Sequence, residues 1–236
     1  MKDGQILGIY NKQNLPNYGV FDEKRYFNEG HQHLVFEYLG HKFGVLICED
    51  VWSLATVQQL AQLNVETVLV LNSSPYEVGK PQHRIDTMTA LAKQLNLNLA
   101  YVNQVGGQDD LIFDGTSFLI SKDGELALRA PTYQEGLFVV AYEAEQQRYK
   151  TGEQAAALDT MAEIYQGLVL ATRDYVQRSG FPGVILGLSG GIDSALTLAI
   201  AVDALGADKV QAVMMPYTYT AQISVEDAAQ QAKTMG

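Results

Sequence analysis

Short apolar runs alternate along the chain with longer stretches in which apolar residues recur every three or four positions. That alternation predicts an α/β layered protein. Lys42 to Ile47 reads as a strand that ends at Cys48-Glu49-Asp50. A helix is predicted over roughly Thr56 to Asn64, then a buried strand from Thr67 to Leu71 that stops at Asn72-Ser73-Ser74-Pro75. Gln82 to Leu95 places Ile85, Met88, Leu91, Ala92 and Leu95 on one helical face. Asn98 to Asn103 predicts a further strand, and Lys122-Asp123-Gly124 marks a hairpin turn between two more. A last strand is expected near Gly136 to Ala141.

The pattern then changes. Glu143 to Ala157 is polar and alanine-rich and reads as a connector. Beyond it, Leu158, Met161, Ala162, Tyr165, Leu168, Val169, Thr172 and Val176 form a helical stripe, which stops before the breaker Gly180-Phe181-Pro182-Gly183. A strand, a Gly-rich turn and a helix are predicted between Val184 and Leu205, then a strand from Val210 to Met214. Ser224-Val225-Glu226-Asp227 has the form of a helix N-cap with acidic residues behind it. The expected organisation is a first unit over 1–143, a connector over 144–157 and a second unit over 158–236. The first unit opens without an evident first strand, and the chain shows no internal repeat.

Charge narrows the function classes. Sixteen Lys and Arg against 27 Asp and Glu give a formal net charge of −11, which argues against nucleic acid or an anionic membrane as partner. No apolar run reaches the roughly 18 to 20 residues of a membrane helix. The opening Met1-Lys2-Asp3-Gly4-Gln5 lacks the apolar segment of a secretory signal, so a cytoplasmic location is expected. Cys48 is the single cysteine, which excludes an internal disulfide and a multi-cysteine metal site. His31 and His33 form His-x-His without a carboxylate cluster at ligand spacing and read as surface or hydrogen-bonded histidines. The 13 tyrosines scatter through strands and read as core and rim.

Gly187-Leu188-Ser189-Gly190-Gly191-Ile192-Asp193-Ser194 lies between a predicted strand and a helix. Its paired glycines let backbone N–H groups approach a ligand closely. With two hydroxyls and a helix N-terminus they would form an anion cradle. Asp193 beside such a cradle suits a divalent cation, with Mg2+ the natural partner. The Gly-Lys-Ser/Thr ending of a Walker A loop is absent, and an ordinary β–α turn is the plain alternative. The string resembles the pyrophosphate-binding loop of the N-type ATP pyrophosphatases, which implies ATP and Mg2+ as cofactors and transfer of AMP to an acceptor oxygen.

Cys48, at a strand end, reads either as a small buried hydrophobe or as a nucleophile at the edge of a sheet, where α/β sites lie. Lys12 upstream is a cation that would favour a thiolate and stabilise an oxyanion if the two meet in space. Tyr10-x-Lys12-x-x-Leu15-Pro16-Asn17-Tyr18, Phe21-Asp22-Glu23-Lys24-Arg25-Tyr26-Phe27 and Cys48-Glu49-Asp50 resemble the nitrilase superfamily, in particular its glutaminase branch. The resemblance implies Cys48 as nucleophile and Lys12 as the oxyanion-stabilising member of a Glu–Lys–Cys triad. Glu23 is either the additional carboxylate often found near such sites or a surface residue. Leu71 to Lys80 resembles the glutamine-holding loop of the branch, which implies Tyr18, Ser74 and Lys80 as head-group binders. Taken alone, Ser74 would cap a turn and Lys80 would be a surface charge. Tyr101 to Asp109 and Phe113-Asp114-Gly115 also fit the branch, without an assigned role.

The order of nitrilase-like unit, connector and Ser-Gly-Gly loop, followed by Met214-Met215-Pro216, resembles the glutamine-dependent NAD synthetases across nearly all 236 residues. That resemblance implies a partial nitrilase-like α/β/β/α sandwich followed by the start of a Rossmann-like parallel-sheet domain. It implies L-glutamine, ATP and nicotinic acid adenine dinucleotide as partners, and a homo-oligomer in the full-length enzyme. Another amidotransferase with the same loop, or a non-catalytic scaffold, stands as the alternative. None of the nine residues before Tyr10 is Glu, and the family's synthetase part extends past the equivalent of Gly236. The expectation is therefore a piece of a longer enzyme, with slow or absent ammonia release on its own.

Overall fold

Three apolar strands run parallel at the centre of the first unit: β2 (His41–Ile47), β3 (Thr67–Asn72) and β4 (Asn98–Asn103). β1 (Leu34–Tyr38) adds antiparallel to β2 through a turn at Leu39 and Gly40, both with positive φ as a tight two-residue hairpin requires. On the other side β7 (Phe118–Ile120) pairs antiparallel with β4, and β8 (Leu126–Arg129) with β7, giving the order β1-β2-β3-β4-β7-β8. Between them in sequence, β5 (Val105–Gln108) and β6 (Leu111–Asp114) form a separate two-stranded ribbon. The structure is a computed structural model that describes residues 4–236. It divides into one unit of residues up to 105 with 113–157, and another of 106–112 with 158–236.

Helices α1 (Leu54–Gln62) and α2 (Lys80–Leu95) follow β2 and β3. Ser53 caps α1 by accepting from the Thr56 N–H. Pro81 sits in the first turn of α2, and Asn96 ends that helix in the left-handed region. Val57, Leu60, Ile85, Met88 and Ala92 from these helices join Leu46, Val68, Val70 and Leu99 of the sheet in one buried cluster. Alternation along the strands sends every second residue to the other face, where Leu71 is 54% and Val102 59% exposed.

The strand expected over 136–141 does not form. Phe138 and Val140 still pack on Leu119, Ala127 and Leu128, but the neighbouring Leu137 and Val139 project outward and the backbone pairs with no strand. The hydrogen-bonding edge of β8 is taken instead by residues 152–155: Gly152 N–H donates to Ala127 O at 2.8 Å, and Ala155 N–H to Arg129 O at 2.9 Å. The segment read as a connector thus carries structure. It opens with a small hairpin of β9 (Tyr142–Glu143) and β10 (Arg148–Tyr149), held by the Tyr142 hydroxyl donating to Glu66 at 2.7 Å.

In the second unit, α3 (Thr160–Arg178) precedes β11 (Val184–Gly187), α4 (Ile192–Leu205), β12 (Val210–Val213) and α5 (Gln222–Met235). β11 and β12 pair in parallel with Gly187 opposite Val213. Val176, Ala204 and Leu205 join α3 to α4, and Leu198 with Ala228 joins α4 to α5. Ser224 is not the cap of α5. The helix begins two residues earlier, after Ala221, and Ser224 lies in its first turn. The architecture is α/β throughout, with a helix-backed mixed sheet followed by the start of a parallel one. Among the described residues no helix is long and apolar enough to cross a membrane.

Leu46 is fully buried between sheet and helices, and Leu71 faces outward from the neighbouring strand. Leu46→Ala is expected to cost about 2–5 kcal/mol in urea unfolding, and Leu71→Ala to stay within about 1 kcal/mol.

Candidate active site

β2 delivers Cys48 to the carboxyl edge of the sheet, where the chain breaks into a single tight turn, Cys48–Trp52. Cys48 has φ +47°, a left-handed conformation that costs a non-glycine residue of order 1–3 kcal/mol and clusters at functional sites. The turn is held by Asp50, which is fully buried. One carboxylate oxygen accepts from the Ile47 N–H at 3.1 Å and the Tyr10 hydroxyl at 2.8 Å. The other accepts from the backbone N–H groups of Gln13 at 3.0 Å and Asn14 at 2.7 Å, and from Asn14 Nδ2 at 3.2 Å. A single anion thereby ties the segment carrying Lys12 to the turn carrying Cys48, across more than thirty residues of sequence. Gly30 braces that segment from behind, its N–H donating to Lys12 O at 2.8 Å. A side chain there would drive a Cβ to 2.2 Å from Asn11 O.

Lys12 and Cys48 line one pocket of about 780 Å³, together with Tyr10, Glu23, Asn72, Ser73 and the outward-facing Leu71 and Val102. The Lys12 ammonium is only 12% exposed and meets both oxygens of Glu23, at 2.7 and 2.8 Å. Glu23 is therefore a partner of the lysine and not a free surface charge. Among the described residues it is the carboxylate lining this pocket. Burial pushes the Cys48 thiol above its ordinary range. The Lys12 ammonium and the Ser73 backbone N–H pull it down, while Glu49 and Glu23 push it up. One cation and one backbone donor thus favour the thiolate against burial and two carboxylates.

Of the residues expected to hold a head group, Tyr18 is exposed and donates to both oxygens of Glu49 at 3.0 Å. Burial first, then Glu49, Cys48 and Glu77, push its phenol up to about 12, so these groups share one neighbourhood. Lys80 meets Glu77 at 3.0 Å. Ser74 is buried, its hydroxyl accepting from Arg84 at 3.1 Å, and it is Ser73 that lines the Cys48 pocket. Sequence reading left Glu49, Asp50 and the Arg84–Asp114 pair unassigned. The signal for Asp50 was its place directly behind the nucleophile motif. For Arg84 it was a cation on the same helical face as Ile85 and Met88. His33 hydrogen-bonds Gln59 and Gln13, and no group of three or more His, Cys, Asp or Glu among the described residues could hold a metal ion.

In the second unit the loop after β11 stays open, with Ser189, Gly191 and Asp193 exposed. Ser194 Oγ lies 3.0 Å from Ser189 Oγ and donates to Gly191 O at 2.9 Å. Gly190, at φ +79°, is pressed against α5: a Cβ there would fall 2.1 Å from Ser224 O. Beside the loop is a pocket of about 260 Å³, lined by Gly187, Ser189, Met214, Met215, Thr220 and Ser224.

A thiol and a half-buried lysine thus line one pocket at the carboxyl edge of a helix-backed sheet. Residues 1–151 match the carbon-nitrogen hydrolase family, and the chain belongs to it. Residues 164–236 match NAD synthase. The whole chain is 75% identical over 236 residues to the glutamine-dependent NAD(+) synthetase of Acinetobacter baylyi and 38% identical over 272 residues to that of Thermotoga maritima. It spans 44% and 47% of those proteins, under half the length of the curated relatives it matches. A solved glutamine-dependent NAD+ synthetase from Acinetobacter baumannii, in complex with ADP, superposes over 100% of this chain and 45% of its own. Its TM-score is 0.97 and its identity 76%.

Two substitutions should move the thiol in opposite directions, read as the pH midpoint of iodoacetamide alkylation at the single cysteine. Lys12→Met removes the cation that favours the thiolate and shifts the midpoint up. Glu23→Gln removes a like charge and shifts it down. Asp50→Ala, which releases the Lys12 segment, should reproduce the upward shift.

Proposed function

We propose that this chain supplies the glutamine-hydrolysing part and the beginning of the ATP-using part of a glutamine-dependent NAD(+) synthetase, with 1–143 as the glutaminase, 144–157 as connector and 158–236 as the synthetase portion. The observation that carries this reading is the Cys48–Lys12 pocket, in one chain with the open Ser-Gly-Gly loop. Cys48 Sγ adds to the carboxamide carbon of L-glutamine while the Lys12 ammonium faces the oxygen that gains negative charge. The C–N bond breaks, the departing nitrogen takes up the proton lost by the thiol, and ammonia leaves. Water then hydrolyses the thioester to glutamate and restores the thiol. At the rim, Lys80 and Tyr18 suit the α-carboxylate and Glu49 the α-ammonium, with Ser74 a head-group residue of the same loop.

Gly187, Leu188, Ser189, Gly190, Gly191, Ile192, Asp193 and Ser194 would hold the phosphates of ATP. Exposed backbone donors at the start of α4 and the two hydroxyls are the right donor set for an anion, and the relative from Acinetobacter baumannii was solved with ADP. Asp193 would hold Mg2+, which would supply positive charge to offset that on the leaving pyrophosphate. The carboxylate of nicotinic acid adenine dinucleotide attacks the α-phosphorus and pyrophosphate departs. Ammonia then displaces AMP at the acyl carbon to give NAD. The partners in this reading are small molecules, and the enzyme is cytoplasmic and homo-oligomeric.

A diazoketone analogue of glutamine tests the first half on this chain. A covalent adduct on Cys48, blocked by excess glutamine and absent from Cys48→Ala, is expected in peptide mass spectra. A cysteine that reacts with iodoacetamide yet ignores the analogue would overturn the reading. In the expressed gene product, Cys48→Ala should cut glutamine-driven NAD formation by about 10³-fold or more and leave ammonia-driven formation in place. Equal loss of both would count against it.

A further inference from the structure

The chain segment that passes over Cys48 after β3 is held from below by a charge pair with no exposure at all. Arg84 and Asp114 are both 0% exposed, with Arg84 Nη1 meeting the two carboxylate oxygens at 2.8 and 2.9 Å. The other arm of the guanidinium, Nη2, donates to three oxygens of one short stretch: Ser74 O at 2.9 Å, Ser74 Oγ at 3.1 Å and Pro75 O at 3.0 Å. Asn103 closes the cage, its Oδ1 accepting from the Ser74 N–H at 2.9 Å and its Nδ2 donating back to Ser74 O at 3.2 Å. The residue just before this clamped stretch is Ser73, which lines the same pocket as Cys48 and whose backbone N–H favours the thiolate.

Stability alone is a poor reason for such a pair. Two charges taken fully out of water lose hydration that their mutual attraction barely returns, and well-packed apolar replacements are often as stable. What the planar fork does that an apolar group or an ammonium cannot is fix several oxygens in one plane at set distances. Here three of those oxygens belong to the segment that directly follows Ser73, a lining residue of the Cys48 pocket.

We propose that Arg84 is a positioning residue: by gripping Ser74 and Pro75 while anchored on Asp114, it fixes the backbone of Ser73 in the Cys48 pocket, and so sets the reactivity of a nucleophile it never touches. The proposal rests on the reading of Cys48 as nucleophile but not on glutamine being its substrate. It also assigns a use to Asp114, which the fold places at the end of β6 and which otherwise has no part in the chemistry.

Two variants test it. Arg84→Lys keeps a cation opposite Asp114 but loses the fork. Arg84→Met combined with Asp114→Leu removes both charges and leaves an apolar pair. In each, the expected result is a folded protein whose iodoacetamide alkylation midpoint rises by about one pH unit, the weight of one hydrogen bond to an anion. The glutamine diazoketone should label Cys48 about tenfold more slowly at neutral pH, with saturation by the analogue little changed. A purely structural role would lower the melting temperature and leave the alkylation midpoint where it was. A folded variant with the parent's midpoint overturns the proposal, and so does failure of both variants to fold, which would assign the pair to stability. Because the alkylation profile needs no glutamine, it separates failure of this inference from failure of the glutaminase reading, which shows as a parent protein inert to the analogue.

Discussion

One buried carboxylate sets the candidate site. Asp50 accepts from five donors, one at the end of the strand leading to Cys48 and four on the segment carrying Lys12, and is fully buried. An ion so deep is tolerable only because all its hydrogen bonds are made, and that requirement fixes where the two segments lie. The lysine and the cysteine come from opposite ends of about forty residues, with no strand pairing between them to set their spacing. The carboxylate does that work, and the chemistry of the pocket follows from it.

Around that anchor the charges form a graded arrangement. Glu23 holds the lysine from one side and raises the thiol, while the lysine lowers it and burial raises it again. None of these groups is independent of the others.

Sequence made the elements and the chemistry visible where both are local. Strands β2, β3 and β4 have continuous apolar runs, and the cysteine, the lysine and the Ser-Gly-Gly turn stand out as residue types at strand ends. What the sequence did not show depends on contacts between distant segments. β1 was not read as a strand although Leu34 to Tyr38 is apolar or aromatic but for Glu37; its pairing with β2 is what the structure adds. The strand expected over 136–141 has the right alternation, but the edge it would need is filled by residues 152–155. Arg84 drew no assignment from the sequence, because its partner Asp114 lies thirty residues further along the chain.

The same filled edge has a consequence for how copies of this protein meet. An open border of a sheet offers unpaired amides and carbonyls to any passing strand, which is how sheets recruit one another into fibrils. Residues 152–155 sheathe the β8 border with backbone of the chain's own, so that border offers no free ladder to a passing strand. The opposite border of the same sheet is β1, and the turn at Leu39 and Gly40 ends that strand after five residues.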